Sequence, residues 1–150
     1  PLYVVSRNGN VVAVKTFVEL GADFNIPADG GLTPVYSAAH NNRVDVIRAL
    51  VELGADINTP DTKGCTPLSI AAYKGRVDAA KALVKLGADL ETPDHNGFTP
   101  MIISTLNDGV DMMRALVESG ADVNSANQFN HTPVYVASRN GNVAAVKTLV

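Results

Sequence analysis

The chain has 150 residues, 46% of them hydrophobic and 18% charged, with no tryptophan: the size and make-up of one globular domain with enough apolar mass for a core. Its formal net charge of −3 excludes the strong basic excess of a nucleic-acid binder. The single cysteine, Cys65, excludes an internal disulfide, and no apolar run approaches the ~20 residues that cross a bilayer.

The predicted elements come in a recurring order. Residues 1–32 hold a short apolar helix closed by Asn8-Gly9, then a second helix carrying Val11, Val14, Phe17 and Val18, then Gly21-Ala22-Asp23 and a loop. The second unit, 33–65, opens on Thr33-Pro34. Asn42 stands where a glycine would end its first helix, a place asparagine tolerates. The third unit, 66–98, is the most regular. Thr66 is a good N-cap and Pro67 suits the first helical turn. Leu68, Ile70, Ala71 and Ala72 make a short apolar helix, which Gly75 stops. Val77, Ala80, Leu83 and Val84 have helical spacing for a second helix, with Lys81 and Lys85 outward. Gly87 ends it, and the stretch to Gly97, rich in Asp, Pro, Asn and Gly, reads as an extended turn.

The fourth unit, 99–131, is irregular. Ser104 and Thr105 replace the two alanines, and Asp108-Gly109 moves the glycine by one residue. A local distortion is expected there, with the register restored at Val110. Asn130 replaces the loop glycine, and a final unit, 132–150, follows.

The period is 33 residues throughout: Thr33-Pro34, Thr66-Pro67, Thr99-Pro100 and Thr132-Pro133 recur in step with Gly54-Ala55-Asp56, Gly87-Ala88-Asp89 and Gly120-Ala121-Asp122. Residues 1–18 and 133–150 match at 14 of 18 positions, so the chain reads as a window on a longer array. One unit cannot bury its own apolar face, whereas stacked neighbours can. Leu50, Leu83 and Leu116 are expected to form one core seam, with Ala38, Ala71 and Ala137 where helices approach closely.

The combination Thr-Pro-Leu … Ala-Ala … Gly … Leu-Val … Gly-Ala-Asp … Asn resembles the ankyrin repeat and covers the whole chain, as about four and a half units forming one array, 1–150. The resemblance implies an all-α solenoid of stacked helix-turn-helix units with projecting β-hairpin-like loops. It also implies that first helices and loop tips line a concave face that binds a partner protein. One departure is general. Where the family carries a histidine three residues after the threonine, this chain has Tyr3, Tyr36, Ser69, Ile102 and Tyr135. The terminal helices resemble internal ones rather than polar caps, so end-to-end self-association through uncapped repeats is expected.

Catalytic or cofactor chemistry finds no support. His40, His95 and His131 fall at unrelated places in their units, with no partner at metal-ligand spacing. Asp45, Asp78 and Asp111, like Asp56, Asp89 and Asp122, occur once per unit, which marks structural use on helix N-termini or loop amides. Asn25, Asn58 and Asn124 read as loop bridges, although the family resemblance also implies oxygenase hydroxylation of such asparagines. Cys65 reads as an exposed loop thiol with nothing to activate it. Lys15, Arg48, Lys81, Arg114 and Lys147 make a basic stripe on the outer helices, with Glu19, Glu52 and Glu118 four residues on as pairing partners. No catalytic, cofactor-binding or metal-binding residue is assigned.

The candidate partner-binding residues are those at which the units disagree. At the end of the first helix these are Arg7, His40, Asn41, Tyr73, Lys74, Leu106, Asn107 and Arg139; before or near each threonine they are Leu32, Phe98, Phe129 and His131. Tyr73, Phe98, Leu106 and Phe129 have no place in the repeated core and are expected to cluster. The expected function is a protein-interaction scaffold that is intracellular and cytoplasmic and is not an enzyme. The alternatives are an inhibitor covering a partner enzyme's active site, or a segment of a longer cytoskeletal or membrane-adaptor array.

Overall fold

Thr-Pro starts the first helix of a unit for a local reason. In the computed structural model, which describes residues 2–150, the hydroxyls of Thr33, Thr66, Thr99 and Thr132 accept the amides of Tyr36, Ser69, Ile102 and Tyr135 at 3.1, 3.2, 3.4 and 3.3 Å. The proline behind each cap needs no hydrogen bond, because first-turn amides have no partner within the helix. The first helices are α1 (Leu2–Asn8), α3 (Pro34–His40), α5 (Pro67–Tyr73), α7 (Pro100–Leu106) and α9 (Pro133–Arg139). The second helices are α2 (Val11–Glu19), α4 (Val44–Glu52), α6 (Val77–Lys85), α8 (Val110–Glu118) and α10 (Val143–Leu149).

First helices pack on first helices (α1 on α3, α3 on α5, α5 on α7, α7 on α9) and second helices on second helices. Each also packs on its partner within the unit. This is the two-layer helical stack of a solenoid, with one core running its length. Leu50, Leu83 and Leu116 are fully buried in it, as are Ala38, Ala71 and Ala137. Replacing one of the leucines by alanine removes buried methyl groups and leaves a void, at a cost of about 2–5 kcal/mol.

The fourth unit is not distorted, contrary to the expectation from its sequence. Its helices have the lengths and start points of their neighbours. Asp108 itself takes the left-handed conformation (φ 54) that glycine takes elsewhere, and Gly109 is free to lie at φ −80. The Ser104 and Thr105 hydroxyls are buried without penalty, because both donate to the Met101 carbonyl, at 2.7 and 2.9 Å. Asn42 and Asn130 also adopt positive φ in place of glycine, at 57 and 61.

The loops are hairpin-like only in being closed by short-range backbone hydrogen bonds, the amides of Asp61, Asp94 and Asn127 donating to the carbonyls of Cys65 (2.9 Å), Phe98 (3.0 Å) and His131 (3.1 Å). No strand forms among the described residues. Successive loops stack closely. At Gly64 and Gly97, both at positive φ, a β-carbon would lie 2.9 Å from the amide nitrogens of His95 and Gln128 in the next loop. Further back, Asn25 and Asn58 accept the amides of Asp56 and Asp89 in the following unit at 3.2 and 3.0 Å, and Glu91 does the same for Asp122 at 2.8 Å. Asp56, Asp89 and Asp122 each accept a loop amide two residues on.

The outer-helix charges do not pair as their spacing predicts. Among the described residues the one ion pair is Arg114–Asp111 at 3.7 Å, both side chains largely exposed. Long side chains in water lose more freedom in pairing over i, i+4 than the screened attraction returns.

Candidate binding groove

The stacked first helices and loops leave three hollows in a row. The first, about 430 Å³, lies over units one to three and is lined by Arg7, Leu32, His40, Asn41, Tyr73 and Lys74, with Tyr36 and Ile70 among the residues beneath. The second, about 470 Å³, continues over Tyr36, Ile70 and Tyr73 to Phe98, Leu106 and Asn107. The third, about 370 Å³, takes over at Phe98 and Leu106 and runs to Phe129, His131 and Arg139. Because neighbouring hollows share lining residues, they form one groove along the array. It brings together all twelve candidate residues, from positions far apart in sequence.

Their environments differ. Tyr73, Leu106 and Phe129 are 57%, 38% and 63% exposed. Phe98 and Leu32 are half-buried against the core, so they support the groove as well as face it. The Asn41 and Asn107 side-chain amides donate to the Ser37 and Ile103 carbonyls at 2.8 and 3.2 Å, alongside the backbone amides of the same residues, and so close the ends of α3 and α7. His131 stacks on Tyr135 with ring centroids 4.3 Å apart, and Phe129 lies 6.1 Å from His131. Lys74 holds its ammonium 5.2 Å over the Tyr73 ring.

Other groove residues lie outside the sequence-based set, among them Tyr36, Asp61 and Asp94. Asp61 Oδ1 accepts the Lys63 and Cys65 amides at 2.8 and 2.9 Å, and Asp94 Oδ1 accepts those of Asn96 and Phe98, both at 2.9 Å. Asn127 repeats the arrangement with Phe129 and His131. The recurrence of Asp61, Asp94 and Asn127 at 33-residue spacing is the signal that could have found this turn. These carboxylates shape the loops and also lend the middle hollow negative charge.

Cys65 is not the exposed thiol expected. It is half-buried against the core, and burial, followed by Asp61 and Asp94, pushes its pKa to about 11. His40 titrates below its ordinary 6.5, first through burial and then through Lys74, with Arg76 and Arg7 adding to the effect. No three His, Cys, Asp or Glu side chains converge as metal ligands would, and no helix is long and apolar enough to cross a membrane, among the described residues.

A family model described as ankyrin repeats, in three copies, matches residues 2–94, 60–127 and 90–150. No curated protein matches the chain.

Proposed function

The chain belongs to the ankyrin-repeat family, whose members are generally protein–protein interaction modules, and on that premise we propose that it captures a partner protein in the groove of its first helices and loop tips. The observation that carries this reading is the continuity of the three hollows. Tyr73 belongs to the first two, and Phe98 and Leu106 to the last two, so a single extended segment or ridge can run across all five units. Exposed aromatic and aliphatic side chains gathered in a concavity are the usual anchors of an interface. The repeated framework supplies rigidity, so little ordering cost falls on this side of the complex.

The test compares capture of protein partners by the unaltered chain and by Tyr73→Ala with Leu106→Ala. Both side chains are exposed, so the double variant is expected to melt close to the parent while losing at least about tenfold in affinity, as central interface anchors do. Phe98→Ala is a poorer probe, because its half-buried ring also supports the fold. An outer-helix control, Arg48→Ala with Lys81→Ala, is expected to keep the partner. A partner lost by the control and kept by the groove variant places the interface on the second helices and sinks the proposal.

A further inference from the structure

The three hollows differ in charge. The first is lined by Arg7, Lys74 and His40 and by no carboxylate, whereas Asp61 and Asp94 stand in the middle one beside Lys63. Two further cations, outside the lining of the first hollow, bond to the backbone of residues that line it. Arg76 donates its Nε–H to the His40 carbonyl at 3.3 Å, and Arg43 donates to the Arg7 carbonyl at 3.1 Å. Each guanidinium is thereby pinned over the end of the first helix of the preceding unit. Acidic groups lie near but outside: Asp45 shares a separate small hollow with Arg43, and Asp78 takes the Asn42 amide at 3.5 Å. Among the described residues, no ion pair or hydrogen bond engages the Arg7 guanidinium or the Lys74 ammonium. An uncompensated cluster of cations on a chain of net charge −3 runs against the overall field.

The floor between these cations is apolar, formed by Leu32, Tyr36, Ile70 and Tyr73. It contains one polar group that the fold leaves unpaired: the Ser37 hydroxyl, buried without a hydrogen-bond partner.

We infer that the first hollow takes an acidic segment of the partner, with an apolar or aromatic side chain on the Leu32–Tyr36–Ile70 floor and flanking Asp or Glu carboxylates at Arg7 and Lys74. This deepens the proposed function and rests on it. Charge complementarity selects the occupant. A basic segment meets Arg7, His40, Lys74 and Arg76 with nothing to neutralise it. A nucleic acid would supply anions to the first hollow but would have to run on past Asp61 and Asp94 in the second, where its phosphates are repelled. A bound carboxylate also favours protonated His40, which in the free chain is disfavoured by burial and by Lys74, Arg76 and Arg7. Binding therefore takes up a proton and tightens as pH falls through the histidine range.

The experiment titrates the full chain with three synthetic peptides of equal length, each with a central Phe flanked by Asp and Glu, by Ser and Gln, or by Lys and Arg. The acidic peptide is expected to bind roughly tenfold or more tightly than the neutral one, with an affinity that falls as salt is raised. Arg7→Glu with Lys74→Glu is expected to abolish that preference at unchanged melting, and Lys81→Glu with Lys147→Glu on the outer helices to preserve it. Equal binding of the neutral or basic peptide overturns the inference. So does an acidic-peptide affinity that the reversals at 7 and 74 leave intact, or a single-stranded DNA that competes the acidic peptide away. A captured protein that is lost on Tyr73→Ala with Leu106→Ala but kept on Arg7→Glu with Lys74→Glu overturns the acidic-segment assignment alone and leaves the proposed function standing.

Discussion

The Tyr36 hydroxyl donates a 3.1 Å hydrogen bond to Asp61 Oδ2, tying α3 to the loop that leads into α5. The ring is buried, and burial followed by the Asp61 carboxylate holds its phenol well above the ordinary 10.0. The other carboxylate oxygen accepts the Lys63 and Cys65 amides, so one side chain ties the first helix of its unit to the closing loop and shapes that loop at the edge of the groove.

Tyr36→Phe deletes only this helix-to-loop bond and is expected to cost about 1 kcal/mol. Asp61→Ala also strips two loop amides and leaves the phenol without its acceptor, so a cost of about 2 kcal/mol or more is expected. Urea denaturation of both variants decides the point. Equal midpoints would mean that the loop holds its shape without the carboxylate.

Asn42 performs two tasks at φ 57: it ends α3 in the left-handed conformation, and its Oδ1 accepts the Ala79 amide of the next unit at 3.0 Å. That amide needs the help, because Arg76, at the N-cap of α6, offers no side-chain acceptor. Asn42→Gly keeps the backbone and loses the cap, for about 1 kcal/mol. Asn42→Ala loses the cap and adds left-handed strain, for about 2–3 kcal/mol. Hydrogen exchange at the Ala79 amide is expected to quicken in both. An alanine variant no worse than the glycine one contradicts the assignment.

The Cys65 thiol, with its pKa moved from 9.0 to about 11, is expected to be alkylated at pH 8 on the order of 100-fold more slowly than a free cysteine of unperturbed pKa. Asp94→Asn removes one of the raising charges and is expected to speed the reaction without bringing it to the free rate, because burial is the larger cause. Because the folded pKa is raised, the linked stability is present below pH 9 and is lost as pH climbs towards 11. Alkylation followed by mass spectrometry reads the rate directly.

His40 behaves with the opposite sign. Its folded pKa lies below the unfolded 6.5, so on acidification the unfolded chain takes the proton first. The chain is therefore expected to lose stability as pH falls below 6.5, with no such effect at pH 7 and above. Lys74→Gln is expected to move the His40 titration part of the way back, since burial, the larger cause, remains. An NMR titration in which His40 keeps its ordinary value in the parent chain would refute both statements.

The sequence by itself determined everything that depends on neighbours a few residues apart. The threonine caps, the proline first turns, the apolar spacing of Val77, Ala80 and Leu83, and the glycines that turn the chain are all local, and their recurrence at 33 residues leaves a stack as the way to bury the apolar faces. It also pointed to variable positions that line the groove, though not to others there such as Tyr36, Asp61 and Asp94. Only the tertiary structure decided what crosses from one unit to the next. Asn42 capping α6, and Asn25 and Asn58 receiving the next unit's amides, depend on how closely successive units stack, and no spacing along the chain encodes that distance. The fourth unit makes the same point. Its irregular residues predicted a distortion, yet Asp108 assumes the glycine conformation and Met101 accepts both new hydroxyls. The packing of α7 between α5 and α9 holds the backbone in register, and the substituted side chains satisfy themselves within it. Likewise, the uncompensated charge of the first hollow exists only because stacking brings Arg7, His40 and Lys74, from three different units, around one apolar floor.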